Sequence, residues 1–104
     1  MKDDIILQQI KKIVQEMLPE SQVFLFGSRA KGNNLSNSDY DIMVVTKKNY
    51  DVREKIPICS AINKALTKSG IPSDVLLNSE EEVKIKKELY GHIVRTIVRE
   101  AIAL

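Results

Sequence analysis

The fold is decided by the stretch VFLFGSRAKGNNLSNSDYDIMVV, which runs from Val23 to Val45. One apolar run stops at Gly27-Ser28, and a second begins directly after Asp39-Tyr40-Asp41. Neither run shows the 3.6-residue period of an amphipathic helix, so we predict two buried strands, at 23–26 and 41–46. The turn and the acids then stand at adjoining ends of the two strands.

The segment between the two strands is polar and rich in turn-forming residues. Residues 28–31 are predicted to make one helical turn, closed by Gly32. The stretch NNLSNS at 33–38 is predicted to be a polar loop. Such a connection would let the end of the first strand lie beside the start of the second.

Helical periodicity dominates the rest of the chain. We predict helices at 3–18, 51–69 and 80–104, and a third strand at 74–77. Pro57 leaves open whether the second helix starts at 51 or only at Pro57, and Gly91 is a candidate break in the last. Ser79 is a predicted helix cap, with Glu82 at the capping-box position. The order α-β-β-α-β-α predicts a small mixed sheet with helices packed on it, in one α/β domain covering residues 1–104.

Composition sets the broad class. The chain has 104 residues, of which 43% are hydrophobic and 29% charged, as expected for one globular domain. No apolar run approaches the roughly 20 residues that span a membrane, so no membrane partner is expected. A net charge of +2 is too small to predict direct nucleic-acid binding. Cys59 is the only cysteine and the start of the chain resembles no secretory signal, so we expect a cytoplasmic protein.

The two aspartates predict a metal site. In a strand, Asp39 and Asp41 point to the same face, roughly 6.6 Å apart, with Tyr40 on the other. Two carboxylates placed so repel each other unless a cation lies between them. Mg²⁺ prefers oxygen ligands and commonly uses one or two carboxylates together with substrate phosphates. A pair of such ions, about 4 Å apart, suits an in-line phosphoryl displacement.

The preceding turn predicts a phosphate site. Gly27 has no Cβ, so its backbone can approach a ligand closely. Ser28 starts a helical turn whose unpaired N–H groups suit an anion, and its hydroxyl adds a donor. Arg29 adds positive charge nearby. Either motif alone is most often a simple turn or a solvated strand end; their joint presence beside two predicted strands favours a site.

Asp74 is the third acid to consider, because it begins the third predicted strand. If that strand lies beside the strand of Asp41, Asp74 reaches the same cluster, where it can bind metal and accept a proton. The alternative is a solvated acid after Pro72 and Ser73.

The spacing Gly27-Ser28, ten residues, Asp39-Tyr40-Asp41 resembles the G-S-x10-D-x-D signature of the DNA polymerase β-like nucleotidyltransferases. The fuller pattern GSRAKG…SDYD resembles their minimal nucleotidyltransferase (MNT) subfamily, and the resemblance covers nearly the whole chain. It implies that Asp39, Asp41 and Asp74 hold two Mg²⁺ ions and carry the catalysis. Gly27, Ser28 and Arg29 would bind the triphosphate of ATP. Asp74, the third acid, matches the family only through its position at the start of a predicted strand.

The resemblance also implies a biological role. Minimal nucleotidyltransferases typically pair with HEPN ribonuclease toxins and act as their antitoxins. They transfer AMP from ATP to a tyrosine hydroxyl of the toxin. Two alternatives stay open from the sequence: a non-catalytic antitoxin that masks the toxin by binding it, and an enzyme that modifies a small molecule such as an antibiotic.

Overall fold

The computed structural model describes residues 2–32 and 39–104, so the predicted polar loop at 33–38 lies outside the described residues. Its elements, in chain order, are α1 (Lys2–Met17), β1 (Gln22–Phe26), α2 (Gly27–Lys31), β2 (Tyr40–Thr46), α3 (Val52–Lys68), β3 (Ser73–Ser79), α4 (Glu80–Lys86), α5 (Ile93–Glu100) and β4 (Ile102–Ala103). The predicted α/β class and the three predicted strands are confirmed, with bounds that differ by one or two residues.

The strands form one mixed sheet in the order β3-β2-β1-β4. β1 pairs with β2 and with β4 in antiparallel fashion, whereas β2 and β3 are parallel. A parallel pair needs a long crossover connection, and α3 provides it. The topology therefore places the end of β1 and the starts of β2 and β3 at one end of the sheet.

Both faces of the sheet are covered. One face packs against α1 and α3, and its buried core includes Ile10, Val14, Leu25, Ile42, Val44, Ile62 and Leu66. The other face carries a smaller cluster, Met43, Val45 and Ile97, with Phe24, Phe26, Leu76, Val83 and Ala101 packed against it. Burial on both faces explains why β1 and β2 read as continuous apolar runs rather than as alternating ones.

The structure decides two points about the helices that the sequence left open, and it corrects one expectation. α3 starts at Val52, well before Pro57, because Asp51 and Glu54 form a capping box at its first turn. The chain after Ser79 is two helices, with Gly91 between them, and Ile102–Ala103, expected to be helical, form β4. Tyr90, between α4 and α5, is 94% exposed. The capping box of Ser79 and Glu82 at α4 is confirmed.

Within the described residues, none of the helices combines the length and the apolar character needed to cross a lipid bilayer.

Glu82 connects α4 to α3 through its charge. Its carboxylate accepts hydrogen bonds from the Ser79 amide, at 2.8 Å, and from Lys55 Nζ, at 2.6 Å. Lys86 Nζ lies 3.8 Å away. Burial raises the pKa of Glu82, but the hydrogen bonds from Lys55 and Ser79 and the charges of Lys55 and Lys86 outweigh it, so the pKa is lowered overall.

Replacing Glu82 with glutamine is expected to destabilise the protein by about 1 kcal/mol at neutral pH, since glutamine keeps the capping hydrogen bond but loses the charge. The unfolded state holds the Glu82 proton more tightly, so the stabilisation is present above the ordinary glutamate pKa of about 4.3 and is lost as the pH falls through the lowered native pKa. Urea unfolding should show the difference between the two proteins closing in acid. Glu80→Gln, an exposed charge in the same turn, should change little at any pH.

Candidate active site

The sequence-predicted residues converge at the end of the sheet where β1 stops and β2 and β3 begin. Asp41 lies directly opposite Asp74 in the parallel pair and opposite Phe26 in the antiparallel pair. Residues directly opposite in neighbouring strands project to the same face, so the two carboxylates share one side of the sheet. Met43 and Val45 project from the same face, where they pack against Ile97 of α5. The structure therefore places the Asp74 strand beside the Asp41 strand, as the sequence analysis considered.

Asp41 is the most constrained of the three acids. It is half-buried, whereas Asp39 and Asp74 are exposed. Burial raises the pKa of Asp41, and the negative charges of Asp74 and then Asp39 raise it further. Asp74 and Asp39 therefore both lie within electrostatic reach of Asp41, and a cation beside Asp41 would relieve this repulsion.

The acids are not gathered into a closed ligand shell. Among the residues that the structure describes, no three His, Cys, Asp or Glu side chains stand together closely enough to hold one metal ion. The acidic oxygen donors fit a hard cation chemically, and the raised pKa of Asp41 gives a physical reason for one to bind. Modest side-chain movement or substrate oxygens would have to complete the ligand set.

Gly27 brings the turn against the acids. It has a φ of +76°, a left-handed backbone that favours glycine. A Cβ at this position would collide with the side chain of Asp41, reaching 3.0 Å from its Cγ. The missing side chain at Gly27 is therefore what allows the turn and the acidic strand to touch.

The helical turn α2 follows β1 without a break, as expected, and Gly32 ends it with a φ of +76°. Ser28 and Arg29 lie in this turn and are half-buried. In the part of the chain that the structure describes, no side chain caps the start of α2. The arrangement is compatible with anion binding by the first-turn amides and the Ser28 hydroxyl.

Sequence reasoning missed the contact between Arg29 and Tyr40. The Arg29 Cζ lies 4.0 Å from the centroid of the Tyr40 ring, and Tyr40 is only 6% exposed. Its side chain belongs to the core shared with α1 and α3, on the opposite face from Asp41. An aromatic residue between the two acids was the available signal, but its partner could not be identified without the fold.

The candidate site lies at one end of the sheet, where β1 stops and β2 and β3 begin. A cleft of about 330 Å³ lies at the opposite end of the sheet, lined by residues that include Ser21, Thr46 and Tyr50. None of the sequence-predicted site residues lines this cleft.

Comparisons with known proteins bear on the family and the fold of the chain. The family model "Nucleotidyltransferase domain" matches residues 7–104. Among curated proteins, no match is found. A structure of a toxin–antitoxin complex with AMP-PNP aligns with a TM-score of 0.58 and 22% identity, covering 92% of this chain and 69% of that one.

Two further solved structures share the fold. A complex of tri-AMPylated Shewanella oneidensis HEPN toxin with MNT antitoxin aligns with a TM-score of 0.55 and 19% identity, covering 96% of this chain and 69% of that one. A chain from Sulfolobus solfataricus, assigned as a nucleotidyltransferase, aligns with a TM-score of 0.62 and 23% identity, covering 94% and 75%. At these identities the likeness concerns the fold.

Proposed function

Because the chain belongs to the nucleotidyltransferase domain family, we propose that it transfers AMP from ATP to a tyrosine hydroxyl of a HEPN ribonuclease toxin in the cytoplasm, and so acts as an antitoxin. The observation that carries the proposal is the meeting of Asp41 with Asp74 across β2 and β3, with Gly27 against Asp41. Two carboxylates and a glycine turn at one sheet end suit nucleotidyl transfer.

Each group has a role in this reaction. Gly27, Ser28 and Arg29 would bind the triphosphate. The acceptor oxygen attacks the α-phosphorus and forms a new P–O bond as the bond to the β-phosphate oxygen breaks, releasing pyrophosphate. Asp74, which is exposed, is the proposed base for the acceptor proton.

Asp39, Asp41 and Asp74 would hold two Mg²⁺ ions, which supply charge neutralisation for the phosphates when bound. The raised pKa of Asp41 supports this assignment, since repulsion from Asp74 and Asp39 adds to the effect of burial. Asp41 is therefore the acid whose charge has the most to gain from a nearby cation.

Two observations support a protein acceptor. Similar folds occur in toxin–antitoxin complexes, one of which contains an AMPylated HEPN toxin. In addition, four large apolar side chains are exposed within nine residues of the α4–α5 segment: Ile85, Leu89, Tyr90 and Ile93. Exposed apolar groups of this kind are typical of protein interfaces.

The direct test incubates the purified protein with α-labelled ATP, Mg²⁺ and the product of the adjacent gene, its proposed toxin. We expect label on a tyrosine of that neighbour, and loss of its ribonuclease activity. The control is the Asp39→Ala/Asp41→Ala double variant, which should give no label. Equal labelling by both proteins would contradict the metal assignment, and absence of label with the wild type would contradict the proposed transfer.

The exposed apolar residues of the α4–α5 segment also favour a second candidate, an antitoxin that acts by masking alone. The same double variant separates the two. If it neutralises the toxin as well as the wild type does at equal expression, binding is sufficient and catalysis is not required. Retained binding without neutralisation would support the transfer reaction.

A further inference from the structure

The Arg29–Tyr40 stack connects the parts of the chain that supply the candidate site. Arg29 belongs to α2, which carries the phosphate turn, and Tyr40 begins β2, with Asp39 before it and Asp41 after it. The Tyr40 amide donates a hydrogen bond of 3.0 Å to the Pro72 carbonyl, just before β3 and Asp74. Tyr40 thus contacts both α2, through Arg29, and the segment that precedes β3, through Pro72.

We propose that Arg29 and Tyr40 form a clamp that holds the phosphate turn in register with the three acids, so that Arg29, beside its proposed role at the triphosphate, positions the turn through Tyr40. This inference rests on the proposed nucleotidyl transfer and deepens it. A guanidinium stacked on an aromatic face is attracted by the ring quadrupole, and the attraction strengthens when water is excluded. The Tyr40 ring is buried, so it offers a fixed platform.

The clamp explains how the short helix α2 is held in a fixed position. A helix of five residues has little intrinsic stability, so its position must be set by tertiary contacts. One is the ion pair from Lys31 Nζ to Glu100 at 3.2 Å, but both side chains are well exposed, and such pairs contribute little. The Arg29 stack on a buried ring, together with Ala30 packed against the same core, is the stronger anchor.

A clamp and a direct phosphate contact make different predictions. A direct contact strengthens nucleotide binding whether or not metal is present. A clamp matters when the phosphates and the acids must be engaged together, that is, in the presence of Mg²⁺. The two roles therefore separate in the ratio between nucleotide affinities measured with and without Mg²⁺.

The experiment is calorimetric titration of the whole chain with the non-hydrolysable analogue AMP-CPP, with and without Mg²⁺. In Arg29→Met and in Tyr40→Leu, we expect the ratio between the affinities measured with and without Mg²⁺ to fall roughly three- to tenfold relative to the wild type. The Mg²⁺-dependent gain of the double variant should be no smaller than that of the more affected single variant. Tyr40→Phe keeps the ring and Lys31→Met removes a neighbouring cation, so both should match the wild type.

Several outcomes would overturn the clamp. One is an Arg29→Met defect that is equally large without Mg²⁺ while Tyr40→Leu is silent, since this indicates a direct contact. Another is a double variant whose loss of Mg²⁺-dependent gain equals the product of the two single losses, since this indicates that the two residues act independently. Thermal unfolding checks the fold of Tyr40→Leu, and Arg29→Met, at a half-buried position, carries the test if that variant unfolds.

Failure of the proposed function looks different. If the wild type binds AMP-CPP with a Mg²⁺-dependent gain and the variants match it, the clamp alone is wrong. If the coupling is found but no protein is labelled with AMP, the clamp stands and the transfer reaction is wrong. A wild type that binds no AMP-CPP with Mg²⁺ contradicts both.

Discussion

Replacing Gly27 with alanine is expected to reduce nucleotidyl transfer roughly 100-fold, because the new methyl group displaces the turn from the acids by a distance that matters for catalysis. The added Cβ meets the Asp41 side chain, and alanine at a φ of +76° is itself strained. The backbone cost alone is about 1–2 kcal/mol. Initial rates of AMP transfer and urea unfolding would measure the two effects.

The chain offers a matched control for this prediction. Gly70 has a φ of +79°, but among the described residues no heavy atom outside Gly70 and its two chain neighbours lies within 4 Å of the Cβ that alanine would add. Gly70→Ala therefore imposes the same backbone strain without the collision. We expect it to lose stability and to keep the transfer rate. If Gly70→Ala loses transfer as severely as Gly27→Ala, global destabilisation and not the contact with Asp41 explains the loss.

Asp41→Asn is expected to have opposite effects on stability and on activity. Removing the charge relieves the burial cost and the repulsion from Asp74 and Asp39, so the metal-free protein should melt a few degrees higher. Transfer should fall roughly 1,000-fold, since charge neutralisation at the phosphates is worth several kcal/mol. Thermal melts in EDTA and in Mg²⁺, together with transfer rates, would measure both.

Mg²⁺ should stabilise the wild type and leave Asp41→Asn unchanged. Asp51→Asn is the control, because asparagine caps a helix about as well as aspartate and Asp51 lies at the start of α3. It should behave like the wild type in all three measurements. A metal-free Asp41→Asn protein that melts lower than the wild type would contradict the electrostatic account of this position.

Local signals were sufficient to predict the elements that form the site. The apolar runs of β1 and β2, the closing glycine of α2 and the capping box at Ser79 each depend on residues near in sequence, and each is present in the structure. The sequence predicted that Asp74 would lie near Asp41 only if their two strands were neighbours in the sheet. Residue spacing alone does not show which strands pair. The parallel register of β2 and β3 supplies that condition.

The error at the C-terminal segment was caused by a contact distant in sequence. The run IVREAIAL has helical spacing throughout, yet Ile102–Ala103 pairs with β1, where an unpaired strand edge accepts it. Local periodicity could not reveal this pairing, since it depends on the position of β1 in the folded sheet.

The pairing of β4 with β1 has a consequence for synthesis. It joins Phe24 to Ala103 and so closes a loop that spans most of the chain. While the protein leaves the ribosome, the outer edge of the apolar strand QVFLF stays uncovered until Ile102 and Ala103 have emerged. Uncovered apolar edges pair readily with other chains, so nascent molecules on one messenger are prone to aggregate before β4 has emerged.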